Sequence, residues 1–275
     1  MKAILVLMRT GFMVCDILCK AQGLIIDMDG VLWRDKQPLG DLPAIFKEIQ
    51  RLGLTFMLAT NNATLSVDQY VAKLNHFGVA INHSQIINSS QATAHYLRRL
   101  HPEGGVVFVV GEDGLVQELR LQGFYPGEEH PIAVVVGMDR NLTYQKLKIA
   151  CLHIRSGVPF IATNTDKTYP TPQGLTPGAG SIVAALETAT DISPTVIGKP
   201  SPEMYWLAME RMGSKPENTL VVGDRLETDI AGAQEIGCLS ALVLSGVTSK
   251  EKALDWRPSP DCIAADLTSL IMQSS

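Results

Sequence analysis

The 275-residue chain is 46% hydrophobic and 19% charged, enough apolar material for one large domain or two of ordinary size. A formal net charge of −5, without any run of lysine or arginine, excludes an extended nucleic-acid surface but not a local cationic pocket for a small anion. Five scattered cysteines and six unclustered histidines argue for a reducing compartment and against a disulfide framework, and Cys15 and Cys19 lack the second ligand pair that a zinc site needs.

Residues 1–20 read as an extension ahead of the first strand. Lys2 precedes a short apolar run, Arg9 interrupts it, and Asp16 breaks a second apolar patch. No membrane span and no small-residue cleavage site fit there, so no membrane partner and a cytoplasmic location are expected; Met13 offers a later start. From Gly23 onward strands and helices alternate, as in a parallel sheet covered by helices. Strands are expected over 24–27, 55–60, 106–110, 132–136, 160–163, 195–197, 219–223, 241–244 and 262–264. Helices are expected over 43–52, 67–77, 115–121, 202–212 and 228–236, each followed by a glycine suited to a left-handed helix end. Ser201-Pro202 is a strong helix-start signal.

The candidate chemistry falls into an early group and a late group with a separate strand–helix series between them. The expected fold is therefore α/β: a doubly wound, Rossmann-like parallel-sheet core over 21–83 and 188–275, with an inserted α/β domain over 84–187.

Four strand ends carry the chemistry. Leu24-Ile25-Ile26, a continuous apolar run suited to a strand buried on both faces, leads into Asp27, Asp29 and Gly30. Leu58-Ala59 leads into Thr60, Asn61 and Asn62. Val196-Ile197 leads into Gly198, Lys199 and Pro200, and Val221-Val222-Gly223 leads into Asp224, with Asp229 five residues on. In one parallel sheet all four would converge on the carboxyl edge, where open α/β sheets bind ligands. Asp and Gly after a strand are also ordinary turn residues, Lys199 could be an exposed turn lysine, and Asp229 could merely complement a helix dipole. Neighbouring carboxylates repel, however, and call for a metal, a cation or a shared proton. Carboxylates, one ammonium group and small hydrogen-bonding groups suit phosphoryl transfer, in which an aspartate can attack phosphorus. Clustered carboxylates without His or Cys suit a hard cation, Mg²⁺ first.

In order, Asp27-Met-Asp-Gly-Val-Leu-Trp33, Thr60-Asn-Asn62, Gly198-Lys-Pro-Ser-Pro202 and Gly223-Asp-Arg-Leu-Glu-Thr-Asp229 resemble the four motifs of the haloacid dehalogenase (HAD) superfamily. Their wording, with Ala162-Thr-Asn-Thr-Asp166 and Thr176-Pro-Gly-Ala-Gly180, resembles the NagD-like, p-nitrophenyl-phosphatase branch of subfamily IIA over about residues 23 to 270. The resemblance implies that the insertion is a C2-type cap. It implies Asp27 as nucleophile and Asp29 as the acid that protonates the leaving oxygen and then activates water. Mg²⁺ is implied on the side chains of Asp27 and Asp224 and the backbone carbonyl of Asp29, with Asp229 orienting Lys199 or a metal-bound water. Thr60, the Asn61 backbone and Gly30 would hold the phosphoryl group, with Lys199 neutralising its charge. Asn164, Asp166 and the segment 167–175, with Lys167 and Tyr169, match the branch's substrate-specificity loop; an exposed connector is the plainer reading. Trp33 could line the entrance or pack in the core.

The activity so implied is Mg²⁺-dependent hydrolysis of a small phosphorylated metabolite through an aspartyl-phosphate. A phosphotransferase on the same fold and a non-catalytic phosphate-binding protein are the alternatives. Asp29 argues against dehalogenase and ATPase chemistry, because hydrolysis of an organic phosphate needs that second acid. No G-x-G-x-x-G follows the first strand, which excludes a dinucleotide-binding module. A cap-mediated homodimer is compatible with this reading.

Overall fold

The computed structural model describes residues 7–8, 14–34, 36–62, 65–171 and 173–272. Two compact units emerge: Met1–Thr60 with Val67–Ile87 and Tyr205–Ser275, and Asn61–Ser66 with Asn88–Met204. Of the extension expected over 1–20, residues 1–6 and 9–13 lie outside the described residues. Leu7–Met8 pairs antiparallel with Cys262–Ala264, and Val14–Lys20 is a helix that buries Ile17 and Leu18.

The first unit is built on a seven-stranded sheet in the order Leu7–Met8, Cys262–Ala264, Leu239–Val243, Thr219–Gly223, Gly23–Ile26, Thr55–Thr60, Ile86–Asn88. Apart from the antiparallel edge pair the sheet is a six-strand parallel core. Leu24, Ile25 and Ile26 are buried, as are Leu220, Val221 and Val222 beside them, because helices cover both faces. Each such side chain contributes about 1.5–3 kcal/mol when taken fully from water. In-register parallel pairing of Ile26 with Val222 on one side and Leu58 on the other brings the ends of three motif-bearing strands to the same edge.

The second unit has its own five-stranded parallel sheet, ordered Thr195–Val196, Phe160–Ala162, Val134–Val136, Gly105–Val110, Phe124–Pro126. Val134, Val136, Phe160 and Ala162 pack there against Ala150 and Ile154 of helix Tyr144–Arg155 and Val183 and Leu186 of helix Ala179–Thr190. This sheet corrects one expectation. Thr195–Val196, assigned from sequence to the core, pairs with Phe160–Ala162 instead, Ile161 opposite Thr195 and Ala162 opposite Val196. The Gly-Lys-Pro turn therefore leaves a strand of the second sheet, so the four motifs do not all end strands of one sheet. The second compact unit runs to Met204.

Helices expected over 43–52, 67–77, 115–121 and 202–212 are found as Leu42–Arg51, Val67–His76, Asp113–Leu121 and Pro202–Met212. The carboxylate of Asp41 caps the first of these by accepting from the Ala44 amide at 3.1 Å. The glycines that follow the expected helices, Gly53, Gly78, Gly123, Gly213 and Gly237, have φ between 67° and 84°. The helix expected over 228–236 is instead a π-helical turn, Leu226–Ile230, running into Ala231–Glu235. The specificity segment forms a hairpin of Thr168–Thr171 with Gly174–Pro177. Burial pushes the Cys238 and Cys262 thiols up to about 12, consistent with inert core cysteines. No helix among the described residues is long and apolar enough to cross a membrane.

Candidate active site

Within the first unit, the carboxylates of Asp27, Asp224 and Asp229 each offer an oxygen within 4.8 Å of the others. Asp27 follows the buried strand Gly23–Ile26, its amide donating to the Val222 carbonyl at 2.9 Å. That bond extends the ladder one residue and holds Asp27 at the sheet edge beside Asp224. The Val247 amide donates to Asp224 Oδ2 at 2.7 Å. A Cβ added at Gly30, where φ is +86°, would stand 2.6 Å from that same oxygen. Gly30 is thus required twice, by its backbone and by the approach of a carboxylate.

The π-helical turn explains Asp229. Its amide and that of Ile230 both donate to the Arg225 carbonyl, while its Oδ2 accepts from the Arg225 amide at 3.1 Å. Widening this turn aims the carboxylate back toward Asp224 rather than out from a helix start. Asp229 is 1% exposed, so the reading of a surface charge complementing a dipole does not hold.

Three buried carboxylates so close are strongly unfavourable without a positive partner. The donor set, all oxygen and all anionic, fits a hard divalent cation. The Asp29 side chain is not in that group. It is exposed, and its Oδ1 accepts from Trp33 Nε1 at 2.8 Å. Trp33 is fully buried, which settles its two open readings in favour of packing. Thr60 ends the strand next to Gly23–Ile26 and is 2% exposed.

In the second unit Asn61 is a hub. Its Oδ1 accepts from the Lys199 amide at 2.8 Å and its Nδ2 donates to the Lys199 carbonyl at 2.9 Å. Its own carbonyl accepts from Ser89 Oγ at 2.8 Å and from Asn164 Nδ2 at 3.0 Å. Gly198 permits this clamp, since a Cβ there would stand 2.6 Å from Asn61 Oδ1. Lys199 is only 4% exposed and is not a solvated turn lysine. Sequence reasoning assigned Asn61 by its backbone alone; nothing local signals that its side chain reads the backbone of a residue 138 positions away. Substituting Asn61 by Ala removes both clamp bonds. We expect a loss of about tenfold or more in kcat/KM, from the roughly 1.5 kcal/mol of two such bonds, with Asn61→Asp and Asn61→Leu no better, because a carboxylate oxygen cannot donate to the Lys199 carbonyl and leucine can make neither bond. Steady-state assays of the three variants, with circular dichroism as a folding control, check this.

Asn164 is buried, and its Oδ1 also accepts from the Asp166 amide at 3.1 Å. It ties the strand end after Phe160–Ala162 to Asn61. Asp166 is half-buried, with Asn61 Nδ2 3.4 Å from its Oδ1; Lys167 is exposed and Tyr169 half-buried. Arg140 was not anticipated from sequence. Glu112 grips its guanidinium through two bonds of 2.7 Å each, and those bonds hold the Glu112 carboxyl below its ordinary range. The same pair raises the Arg140 pKa above its ordinary value.

A parallel α/β sheet that presents clustered carboxylates at its carboxyl edge suits attack on a phosphate ester, and the class so defined is a phosphatase on a doubly wound core. Comparison with known proteins agrees. A family model described as Haloacid dehalogenase-like hydrolase matches residues 24–125, and a second, HAD-hydrolase-like model matches residues 196–270. The 5′-nucleotidase YutF of Bacillus subtilis is 34% identical over 250 residues, 91% of this chain and 97% of that protein. The D-glycerol 3-phosphate phosphatase of Mycobacterium tuberculosis is 38% identical over 256 residues, 91% of this chain and 71% of that protein. Crystal structures of the glycerol phosphate phosphatase from that organism were solved in complex with magnesium and with calcium; the magnesium complex has a TM-score of 0.85 at 38% identity, covering 93% of this chain and 78% of that one. The 4-nitrophenylphosphatase of Thermotoga maritima has a TM-score of 0.89 at 33% identity, covering 94% of this chain and 99% of that one. The chain belongs to the haloacid dehalogenase-like hydrolases, in the NagD-like, p-nitrophenyl-phosphatase branch of subfamily IIA, and is a phosphatase.

Proposed function

We propose that the protein is a Mg²⁺-dependent phosphomonoester hydrolase that works through an aspartyl-phosphate on a small phosphorylated metabolite. The observation that carries this reading is the buried group of Asp27, Asp224 and Asp229 at the sheet edge, two residues from an acid that is held outside it. Asp27 and Asp224 would hold the cation through their side chains and Asp29 through its carbonyl, and Asp229 would orient the surrounding groups. When bound, the cation neutralises these carboxylates and offsets charge on the phosphoryl oxygens. Asp27 attacks phosphorus as the bond to the ester oxygen breaks, and Asp29 gives that oxygen its proton. Asp29 then takes a proton from the water that cleaves the acyl phosphate and frees Asp27. Thr60 and the Asn61 amide bind phosphoryl oxygens, and Lys199 supplies positive charge; the Gly30 amide, expected from sequence to join them, donates instead to the Trp33 carbonyl at 2.8 Å.

The relatives include enzymes named for 5′-nucleotides and for D-glycerol 3-phosphate, so the ester is the part of the reading that needs measurement. A panel of nucleoside, sugar, glycerol and glycolate phosphates, assayed with and without Mg²⁺, tests it. Turnover of none of them, or equal turnover without metal, sinks the proposal.

Selectivity is assigned to the hairpin residues Lys167 and Tyr169, with Asp166 and Asn164 shaping their base. None of these takes part in making or breaking bonds in the scheme above. Replacing Lys167 and Tyr169 together by Ala is expected to shift relative kcat/KM among natural esters more than tenfold, about 1.4 kcal/mol. Activity on p-nitrophenyl phosphate changes only a few-fold. Uniform loss over all substrates would instead make the hairpin part of the catalytic apparatus, and an unchanged profile would make it a connector.

A further inference from the structure

We propose that Trp33 is a positioning residue for the reaction, acting through Asp29. Helix Val67–His76 presents Tyr70 and Lys73 three residues apart on one face, and Phe77 follows its last turn. The Trp33 ring stacks on Tyr70 at 6.3 Å with an 18° interplanar angle and meets Phe77 at 6.0 Å, while Lys73 Nζ stands 3.9 Å from its centroid. Enclosed in this way, the indole is fully buried, yet its Nε1–H reaches Asp29 Oδ1 at 2.8 Å. The Trp33 carbonyl accepts from the Gly30 amide at 2.8 Å, so the loop between the two residues is closed by both backbone and side chain.

An exposed aspartate on a loop ordinarily samples several staggered rotamers. The indole bond selects one of them from a rigid, buried support. It also occupies Oδ1 as an acceptor, so that the transferable proton belongs on Oδ2. In the first half-reaction the Asp27 oxygen–phosphorus bond forms, the phosphorus–ester oxygen bond breaks, and the Oδ2 proton passes to the departing oxygen. Trp33 touches none of the reacting atoms. Its contribution is the orientation of the proton donor, and it therefore matters most where the leaving oxygen is basic. This inference rests on the reading of Asp29 as acid and base.

Two aryl esters that differ by a para nitro group separate the effects: phenyl phosphate, whose leaving group needs a proton, and p-nitrophenyl phosphate, whose leaving group departs without one. Because kcat/KM covers steps only through leaving-group departure, the later hydrolysis of the phosphoenzyme does not enter. The full chain is compared with Trp33→Phe, with 3-benzothienylalanine at position 33, which keeps the bicyclic ring but replaces N–H by sulfur, and with Asp29→Asn. Both position-33 variants are expected to lose tenfold or more in kcat/KM on phenyl phosphate and less than threefold on p-nitrophenyl phosphate. Asp29→Asn should lose about 10²–10⁴-fold on phenyl phosphate, and adding Trp33→Phe to it should cost nothing more. If Trp33→Phe fails to fold, the isosteric variant decides alone. Equal losses on both esters in the position-33 variants, with a differential loss in Asp29→Asn, overturn the role of Trp33 and leave that of Asp29 standing. Equal losses in Asp29→Asn itself overturn the acid–base reading and the inference with it.

Discussion

Replacing Asp27 by Asn is expected to abolish turnover, by at least roughly 10⁴-fold, the scale on which loss of a nucleophile is felt. An amide of the same size has no carboxylate oxygen with which to attack phosphorus. The substitution should leave the fold intact, because Asp27 is anchored to the sheet through its main chain, by the 2.9 Å bond from its amide to the Val222 carbonyl. Without metal the variant should melt no lower than the parent, since one of three mutually repelling charges is gone. A single-turnover assay for a covalent phosphoenzyme, beside thermal melts of both proteins, checks the two halves of this expectation. A phosphoenzyme formed on Asp29, or one that survives in Asp27→Asn, would move the nucleophile elsewhere.

Removing divalent metal should have an effect of similar size. Exhaustive chelation is expected to eliminate activity, Mg²⁺ to restore it, and Ca²⁺ to inhibit. Mg²⁺ holds a compact octahedron, whereas Ca²⁺ recruits further oxygens and can engage both lobes of the Asp27 carboxylate needed for attack. The structure adds a readout independent of catalysis. Asp224 and Asp229 are each 1% exposed, so a cation bound there is bound by the folded state alone. At a hundredfold excess over its Kd it stabilises that state by about 2.7 kcal/mol. Mg²⁺ should accordingly raise the melting temperature of the native chain, and Asp224→Asn should lose most of the increase. Full activity after chelation, or an equal thermal shift in Asp224→Asn, would remove the metal from this group of carboxylates.

Much of this site is legible one segment at a time. A strand buried on both faces of a parallel sheet must be apolar throughout, so Leu24-Ile25-Ile26 and Leu220-Val221-Val222 declare themselves, as do the polar residues where they stop. Glycine just past a helix is equally local, because the left-handed conformation there is a property of one residue. Elements without such punctuation are not legible in the sequence. Helix Ser89–Leu100 starts from an Asn88 cap but lacks a terminal glycine, and strands Ile86–Asn88 and Phe124–Pro126 each offer only two consecutive apolar residues.

By itself, then, the sequence determined the family, the α/β class and the identity of the acids at the sheet edge, because each rests on residues adjacent or regularly spaced in the chain. Tertiary structure alone decided which groups act together. It assigned Thr195–Val196 to the second sheet, since an apolar run states that a strand is buried but not which strand it pairs with. It turned the Asn61 carboxamide onto the Lys199 backbone, drew Asp229 into the cluster through a π-helical turn, and enclosed Trp33 so that only its N–H reaches Asp29. Each of these depends on a local backbone geometry or a contact between residues far apart in the chain, and neither is written in the periodicity of the segment that carries it.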